Sequence, residues 1–210
     1  YGDNFTGKVN YHATTPGATV TGTSADEILI GSSGDDILNG NGGNDILIGG
    51  AGNDILFHDP ACTIRVDGGS GSNTLLFHGT GQTLDLHSDK AVKSFDIIDL
   101  NATSGADSLT LNMNDVLKVA THDFLVIKGG AADTVTINSL DGWSKSTGGT
   151  IQVFGQTQTV DTNGQTSMQT QTLDATGHAQ GVTTDTYDVY LSSHLGMLLV
   201  EDPIHRVGIT

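Results

Sequence analysis

Four consecutive nine-residue blocks constrain this chain more than any other feature: GTSADEILI (22–30), GSSGDDILN (31–39), GNGGNDILI (40–48) and GGAGNDILF (49–57). Each has Gly first, a carboxylate sixth, Ile seventh and Leu eighth. The first six residues, rich in Gly and short polar side chains, suit a turn whose backbone reaches φ > 0. The remaining three suffice only for a very short strand. Two blocks therefore make one 18-residue coil, turn–strand–turn–strand, and successive coils stack as a parallel right-handed roll. Alternation sends Leu29, Leu38, Leu47 and Leu56 inward and the flanking positions outward. One sheet then shows Ile28, Ile30, Ile46 and Ile48, and the other Ile37, Asn39, Ile55 and Phe57. Contiguous exposed apolar faces usually mark a contact. The first face is thus expected to be covered, by segment 1–21, by strands after residue 77, or by a partner chain in a dimer.

The blocks resemble the G-G-x-G-x-D-x-U-x solenoid repeat, in which U is a large apolar residue and the turns bind calcium. Carboxylates 18 residues apart fall on one edge, Glu27 above Asp45 and Asp36 above Asp54. Two such carboxylates and several inward-tipped carbonyls supply about six hard oxygens, which suits Ca2+ better than a soft or strictly octahedral metal. A flexible acidic Gly/Asn linker, the alternative, would not need Leu at every ninth position.

Composition supports the same class. Twenty-two of the 24 acidic residues are Asp, the exceptions being Glu27 and Glu201. Asp suits turns and short-armed calcium sites, whereas a helical acidic protein would favour Glu. A net charge of −16 argues against nucleic acid and anionic membranes as partners. No apolar run approaches the ~20 residues that cross a bilayer, and no N-terminal signal pattern is present. A chain starting at Tyr1 is expected to be a piece of a longer protein. Cys62 stands alone, so any staple has to be metal.

After residue 57 the repeat degrades. HDPACTIRVD (58–67) is one residue too long, and GGSGSNTLL (68–76) returns to phase with Asn73 in the carboxylate place. ATSGADSLT (102–110) and KGGAADTVT (128–136) are fainter copies carrying Asp107 and Asp133. Strand-like runs lie at 84–87, 95–100, 109–112, 124–129 and 135–138, then at 186–192, 197–201 and 205–209. Asn114 and Asp115 are candidate caps of one short helix through DVLKVA. The Thr/Gln-rich stretch 151–185 reads as a hairpin around Asn163-Gly164. The fold expected is all-β: an N-terminal strand or cap (1–21), a parallel calcium β-roll (22–76), and a less regular β domain (77–210) with an insertion at about 151–185.

FDIIDLNATSGADSLTLNMNDVL, LVIKGGAADTVTIN, Trp143 and YDVYLSSHLGMLLVEDPIHRVGI resemble the C-terminal region of giant RTX adhesins, bacterial surface proteins exported by type I secretion. The resemblance covers roughly residues 22–143 and 187–209; the insertion and residues 1–21 depart from it. It implies an uncleaved secretion signal at the extreme C-terminus and three calcium sites. One uses Glu27 and Asp45 with carbonyls of Thr23, Ala25, Gly40 and Gly42. A second uses Asp36 and Asp54 with Ser32, Gly34, Gly49 and Ala51. The third shares Asp54 with Asn73, plus carbonyls of Gly50, Gly52, Gly68 and Ser70. Glu27 departs from the pattern, because its longer arm either binds bidentately or misses. Asp107 and Asp133 serve isolated sites or act as turn acceptors, and Asp59 and Asp67 either close the ladder or stay outside it.

Other residues carry little chemistry. The eight His show no zinc spacing, and no G-x-S-x-G elbow marks a hydrolase. Asp59-Pro60 and Asp202-Pro203 are read as turns, although some RTX proteins cut themselves at such bonds in calcium. Trp143, Tyr187 and Tyr190 are read as core or edge residues. The expected function is a calcium-dependent folding and export module at the end of a surface adhesin, not an enzyme. Its partners are calcium ions and the type I secretion machinery, and it is expected to be secreted and monomeric. The rival reading is a calcium-stabilised carbohydrate- or peptide-binding module, with 151–185 as its surface; a roll from a secreted protease or lipase fits the later strands less well.

Overall fold

The computed structural model describes residues 9–59, 65–79, 81–89, 91–100, 105–138, 143–192, 196–202 and 204–207. Its strands begin as β1 (Val9–His12), β2 (Thr19–Thr21), β3 (Glu27–Ile30), β4 (Ile37–Asn39), β5 (Ile46–Ala51), β6 (Ile55–His58), β7 (Arg65–Ser70) and β8 (Thr74–Phe77). The odd strands pair in parallel in one sheet and the even strands in a second, as alternating nine-residue blocks require. Ile28 stands opposite Ile46 and Ile37 opposite Ile55, a register of 18 residues. The next coil adds one residue, placing Thr74 opposite Ile55, so the overlong ragged block is absorbed without breaking either sheet. Leu29, Leu38, Leu47 and Leu56 are wholly buried between the sheets.

Residues 9–21 form one more coil in this mould. Val9 pairs with Glu27 and Thr19 with Ile37, again 18 residues apart. Val9 and Ala18 occupy the sixth positions, where the later blocks carry carboxylates.

Past β8 each coil acquires a third side. The elements are β9 (Thr83–Asp85), β10 (Val92–Lys93), β11 (Ile97–Asp99), β12 (Ser108–Leu111), helix α1 (Met113–Val119), β13 (Phe124–Lys128) and β14 (Thr134–Ile137). The first sheet ends at β10, while β11 and β13 prolong the second without a break at residue 76. β9, β12 and β14 build a third sheet, with Leu84 beside Leu109 and Leu109 beside Val135. α1 takes up the side that the first sheet leaves, and Phe95 N–H donates to the Val119 carbonyl at 2.8 Å. Its cap corrects the sequence reading. Asn112, not Asn114, is the N-cap, and Asp115 returns a hydrogen bond to it in a capping box. Asn114 already lies inside the first turn.

The final elements are β15 (Trp143–Lys145), β16 (Gly149–Val153), β17 (Gln156–Val160), β18 (Gln165–Leu173), β19 (Ala179–Ser192), β20 (Met197–Glu201) and β21 (His205–Val207). β20 and β21 close the last coil, parallel to β13 and β14. Everything between is inserted into that coil. Two antiparallel hairpins fill it, β16–β17 turning at Phe154-Gly155 and β18–β19 turning at Asp174–Gly177. Asn163-Gly164 is therefore not a hairpin tip. Asp161 accepts from Asn163 N–H at 2.8 Å and Gln165 N–H at 2.9 Å, and that turn steers the chain from one hairpin into the other.

The insertion folds back onto the outer face of the second sheet. Ile151, Val153, Val160 and Met168 pack there with Phe124, Val126, Tyr187, Val189, Met197 and Leu199 as a second apolar core. The β18–β19 tip reaches the roll itself, where a Cβ on Gly177 would lie 3.2 Å from both Ile37 and Phe57 and 3.3 Å from Ile55. The face covered is thus the opposite of the one expected. Phe57 is buried, whereas Ile28, Ile30, Ile46 and Ile48 stay half-buried, supported by their neighbours along the stack. The hairpin emerges from the second sheet's edge, so only that sheet is within its reach. Tyr187 and Tyr190 are core residues, and Trp143 is buried at the edge strand beside β19.

Candidate metal centre

Glu27, Asp36, Asp45 and Asp54 are all buried although they sit in turns. A ladder explains this. Each sixth-position N–H points along the stack and, being buried, must find an acceptor. Glu27 N–H donates to Asp45 Oδ1, Asp36 N–H to Asp54 Oδ1, and Asp54 N–H to Asn73 Oδ1, each at 2.8 Å. Ala18 N–H donates to Asp36 Oδ1 at 2.5 Å. The 18-residue pairing read from the sequence is present, but the ladder takes one oxygen each of Asp36, Asp45 and Asp54. Only the second oxygen faces the turn.

That second oxygen meets a backbone carbonyl at three first-position glycines, Gly22, Gly31 and Gly49. A Cβ on Gly22 would lie 2.6 Å from the Gly40 carbonyl and 2.8 Å from Glu27 Oε2. The same cradle recurs at Gly31, between Asp36 Oδ2 and the Gly49 carbonyl, and at Gly49, between Asp54 Oδ2 and the Gly68 carbonyl. Any side chain would fill these pockets of oxygen, which is why Gly stands there. Gly40, Gly49 and Gly68 are thus gathered at carboxylates.

The remaining sequence-derived donors divide. The carbonyls of Ala25, Ser32, Gly34, Gly50 and Gly52 lie against the positive-φ glycines of the next coil, Gly43, Gly50, Gly52, Gly69 and Gly71. The Ser32 and Ser70 carbonyls are also taken by N–H groups of Ala51 and Gly52, at 3.1 and 3.0 Å. Thr23 donates to Glu27 through both its N–H and its hydroxyl, so the long Glu27 arm folds back onto its own turn. Ser32 does the same to Asp36 Oδ2, at 2.5 Å from N–H and 2.8 Å from the hydroxyl. Asn73 spends its oxygen on the ladder and its amide on the Ser94 carbonyl at 3.0 Å, which makes it a ladder member with no second oxygen. Gly42 and Ala51 lie in the same turns, with backbone carbonyls as their only oxygens.

Asp54 is the most exacting position. Its Oδ2 is buried and has no hydrogen-bond partner. Burial pushes its pKa up to about 6; the Asp36 N–H opposes this, and the charges of Asp36 and Asp35 add to it. Among the described residues no Lys or Arg pairs with Glu27, Asp36 or Asp54. Nor do three His, Cys, Asp or Glu side chains converge there. A transition-metal cage is therefore not what these turns offer. They offer single carboxylate oxygens, carbonyls and uncompensated negative charge, a donor set of the kind that hard cations take. Residues 21–56 match the RTX calcium-binding nonapeptide repeat, in four copies. These repeats bind calcium, and the cradles at Gly22, Gly31 and Gly49 fit the ion. No curated protein and no solved structure matches the chain.

Asp67 does not extend the ladder. Arg65 and Lys93 hold it at 2.6 and 3.0 Å, and although burial alone would raise its pKa, hydrogen bonds from Arg65, Lys93 and Ser94 outweigh that and lower it. Pro60, Cys62 and Pro203 fall outside the described residues, and with them the two Asp-Pro bonds. The sequence missed a second ladder on the third sheet. Gln82 N–H donates to Asp107 Oδ1 at 2.7 Å and Asp107 N–H to Asp133 Oδ1 at 2.9 Å. The signal was present as Asp107 and Asp133 in the faint blocks, but their spacing of 26 residues hides it from an 18-residue search.

Proposed function

We propose that the chain is a calcium-dependent folding and type I secretion module of a bacterial cell-surface RTX adhesin, with no catalytic role. The observation that carries this reading is the buried column of carboxylates, paired with no Lys or Arg at Glu27, Asp36 or Asp54 among the described residues, with an oxygen at Asp54 that has no hydrogen-bond partner. Without a cation those charges repel, and strands of three to six residues cannot offset the ordering of Gly-rich turns, about 1–2 kcal/mol per residue. In a low-calcium cytosol the roll stays open and able to thread a channel. Outside, a site of Kd ~10⁻⁴ M at roughly tenfold excess ion contributes about 1.4 kcal/mol. Three such sites decide whether the roll exists. RTX repeats are typical of secreted proteins, and among the described residues no helix is long and apolar enough to cross a membrane. The adhesin context rests on the resemblance of the strands after the repeats.

The test is circular dichroism and hydrogen exchange on the full chain in chelator and in millimolar calcium. The expected result is loss of β signal and of amide protection across residues 22–76 in chelator. Unchanged spectra and melting would overturn the reading.

A further inference from the structure

The strongest unassigned feature lies where the insertion meets the flank of the second sheet. Three adjoining hollows of about 260, 380 and 500 Å³ open there, and all three share Phe154. Phe154 occupies the first central place of the two-residue β16–β17 turn, with φ 50°, followed by Gly155 with φ 71°. Asn or Gly normally fills that place, because a bulky side chain in the left-handed region is strained. Such strain persists where surrounding structure imposes it, and it concentrates at functional sites. Packing does not account for it here, since Phe154 is 40% exposed. Its ring instead stands edge-on against Phe124, centroids 5.0 Å apart, with the His122 ring stacked behind Phe124 at 5.8 Å.

The smallest hollow is mostly apolar, with Ile55, Ile97 and Leu173 in its wall, and carries hydrogen-bonding side chains among them. Asn53 and Ser72 come from turns of the roll, and Gln169 from the insertion. The one cation at its base, Lys128, is already matched, donating to the Gln171 carbonyl at 2.7 Å and lying 3.4 Å from Asp99. An aromatic face beside amides and hydroxyls suits a ligand with apolar C–H faces and many hydroxyls. A net charge of −16 disfavours polyanions, including nucleic acids whose bases would also stack.

We propose that this cleft binds a neutral saccharide, with Phe154 as the stacking platform. Asn53 and Ser72 sit one coil apart, and Ser72 N–H donates to Asn53 Oδ1 at 2.9 Å, so the cleft is complete only when the roll is coiled. The test is an array of gluco-, manno- and galacto-oligosaccharides, together with acidic ones, probed with the full chain in millimolar calcium. Titration calorimetry with the best neutral binder follows, for the wild type, Phe154→Gly and Gln169→Ala. Phe154→Gly is expected to weaken binding by roughly tenfold or more, while its melting temperature holds or rises as the turn relaxes. Gln169→Ala is expected to weaken binding less. An array with no neutral binder, binding confined to acidic saccharides, or Phe154→Gly binding as wild type would overturn the proposal. So would a fall in the melting temperature of Phe154→Gly, which would make Phe154 a packing residue.

Discussion

Asp54→Asn separates the two tasks that the ladder gives to one side chain. Asn keeps an Oδ1, so the 2.8 Å hydrogen bond from Asp36 N–H survives, just as Asn73 already serves Asp54. What disappears is the charge on a buried oxygen that has no partner. With the carboxyl pKa pushed up to about 6 from 3.8, holding that charge costs on the order of 3 kcal/mol. In chelator the variant should therefore be more stable than wild type. In calcium that advantage shrinks or disappears, because Asp54 lies between the turns of Asp36 and Asn73 and its loss weakens up to two sites. At about 1.4 kcal/mol per site at tenfold excess ion, the stabilisation by calcium should shrink by roughly 1.5–3 kcal/mol. Urea unfolding across a series of free calcium concentrations reads both effects. With a slope near 2 kcal/mol per M, each is a midpoint shift of about 1 M. If Asp54→Asn lowers the midpoint equally with and without calcium, the charge is not strained and no ion meets Oδ2.

Asp54→Ala should reduce calcium stoichiometry and stability more than Glu27→Ala, since Glu27 is already folded onto Thr23; titration calorimetry giving the reverse order would refute this. Gly49→Ala places a methyl between Asp54 Oδ2 and the Gly68 carbonyl and should abolish one calcium site in the same assay. In chelator, Asp54 and Glu201 have folded pKa values of about 6 and about 7, above their unfolded ones; Glu201 is raised chiefly by burial. Both contribute stability that is complete below the unfolded values and lost as pH rises through 6 and 7, so unfolding should be harder at pH 5 than at pH 8. Glu201→Gln should flatten that slope. In calcium the sign for Asp54 inverts, because protons compete for the ligand and apparent affinity should fall below about pH 6.

The roll was legible because period nine leaves few solutions: Gly, carboxylate and Leu at fixed places dictate turns, ladder and core together. The coil of residues 9–21 was not, since its pairing is imposed by the stack below and not by any motif in VNYHATTPGATVT. Individual carbonyl ligands were only partly legible. Sequence cannot say that Ser32 and Ser70 carbonyls receive N–H groups from adjoining coils, because that depends on how adjacent turns seat. The insertion was misread for a related reason. Asn163-Gly164 has hairpin chemistry, yet the hairpins form where long strands find partners, and a strained Phe154-Gly155 turn serves one of them.

The ladder also has a direction. In every rung the acceptor belongs to the coil nearer the C-terminus: Asp36 serves Ala18, Asp45 serves Glu27, Asp54 serves Asp36, Asn73 serves Asp54, and Asp107 and Asp133 do likewise on the third sheet. The two ends of the stack are therefore chemically different. A stack growing toward the N-terminus meets each new coil with an oxygen already in place. At Ala18 that run stops, because a methyl receives nothing. The coil of β1 and β2 thus takes the last hand offered and extends none of its own, so the sixth-position column of oxygens ends at Asp36 on this edge.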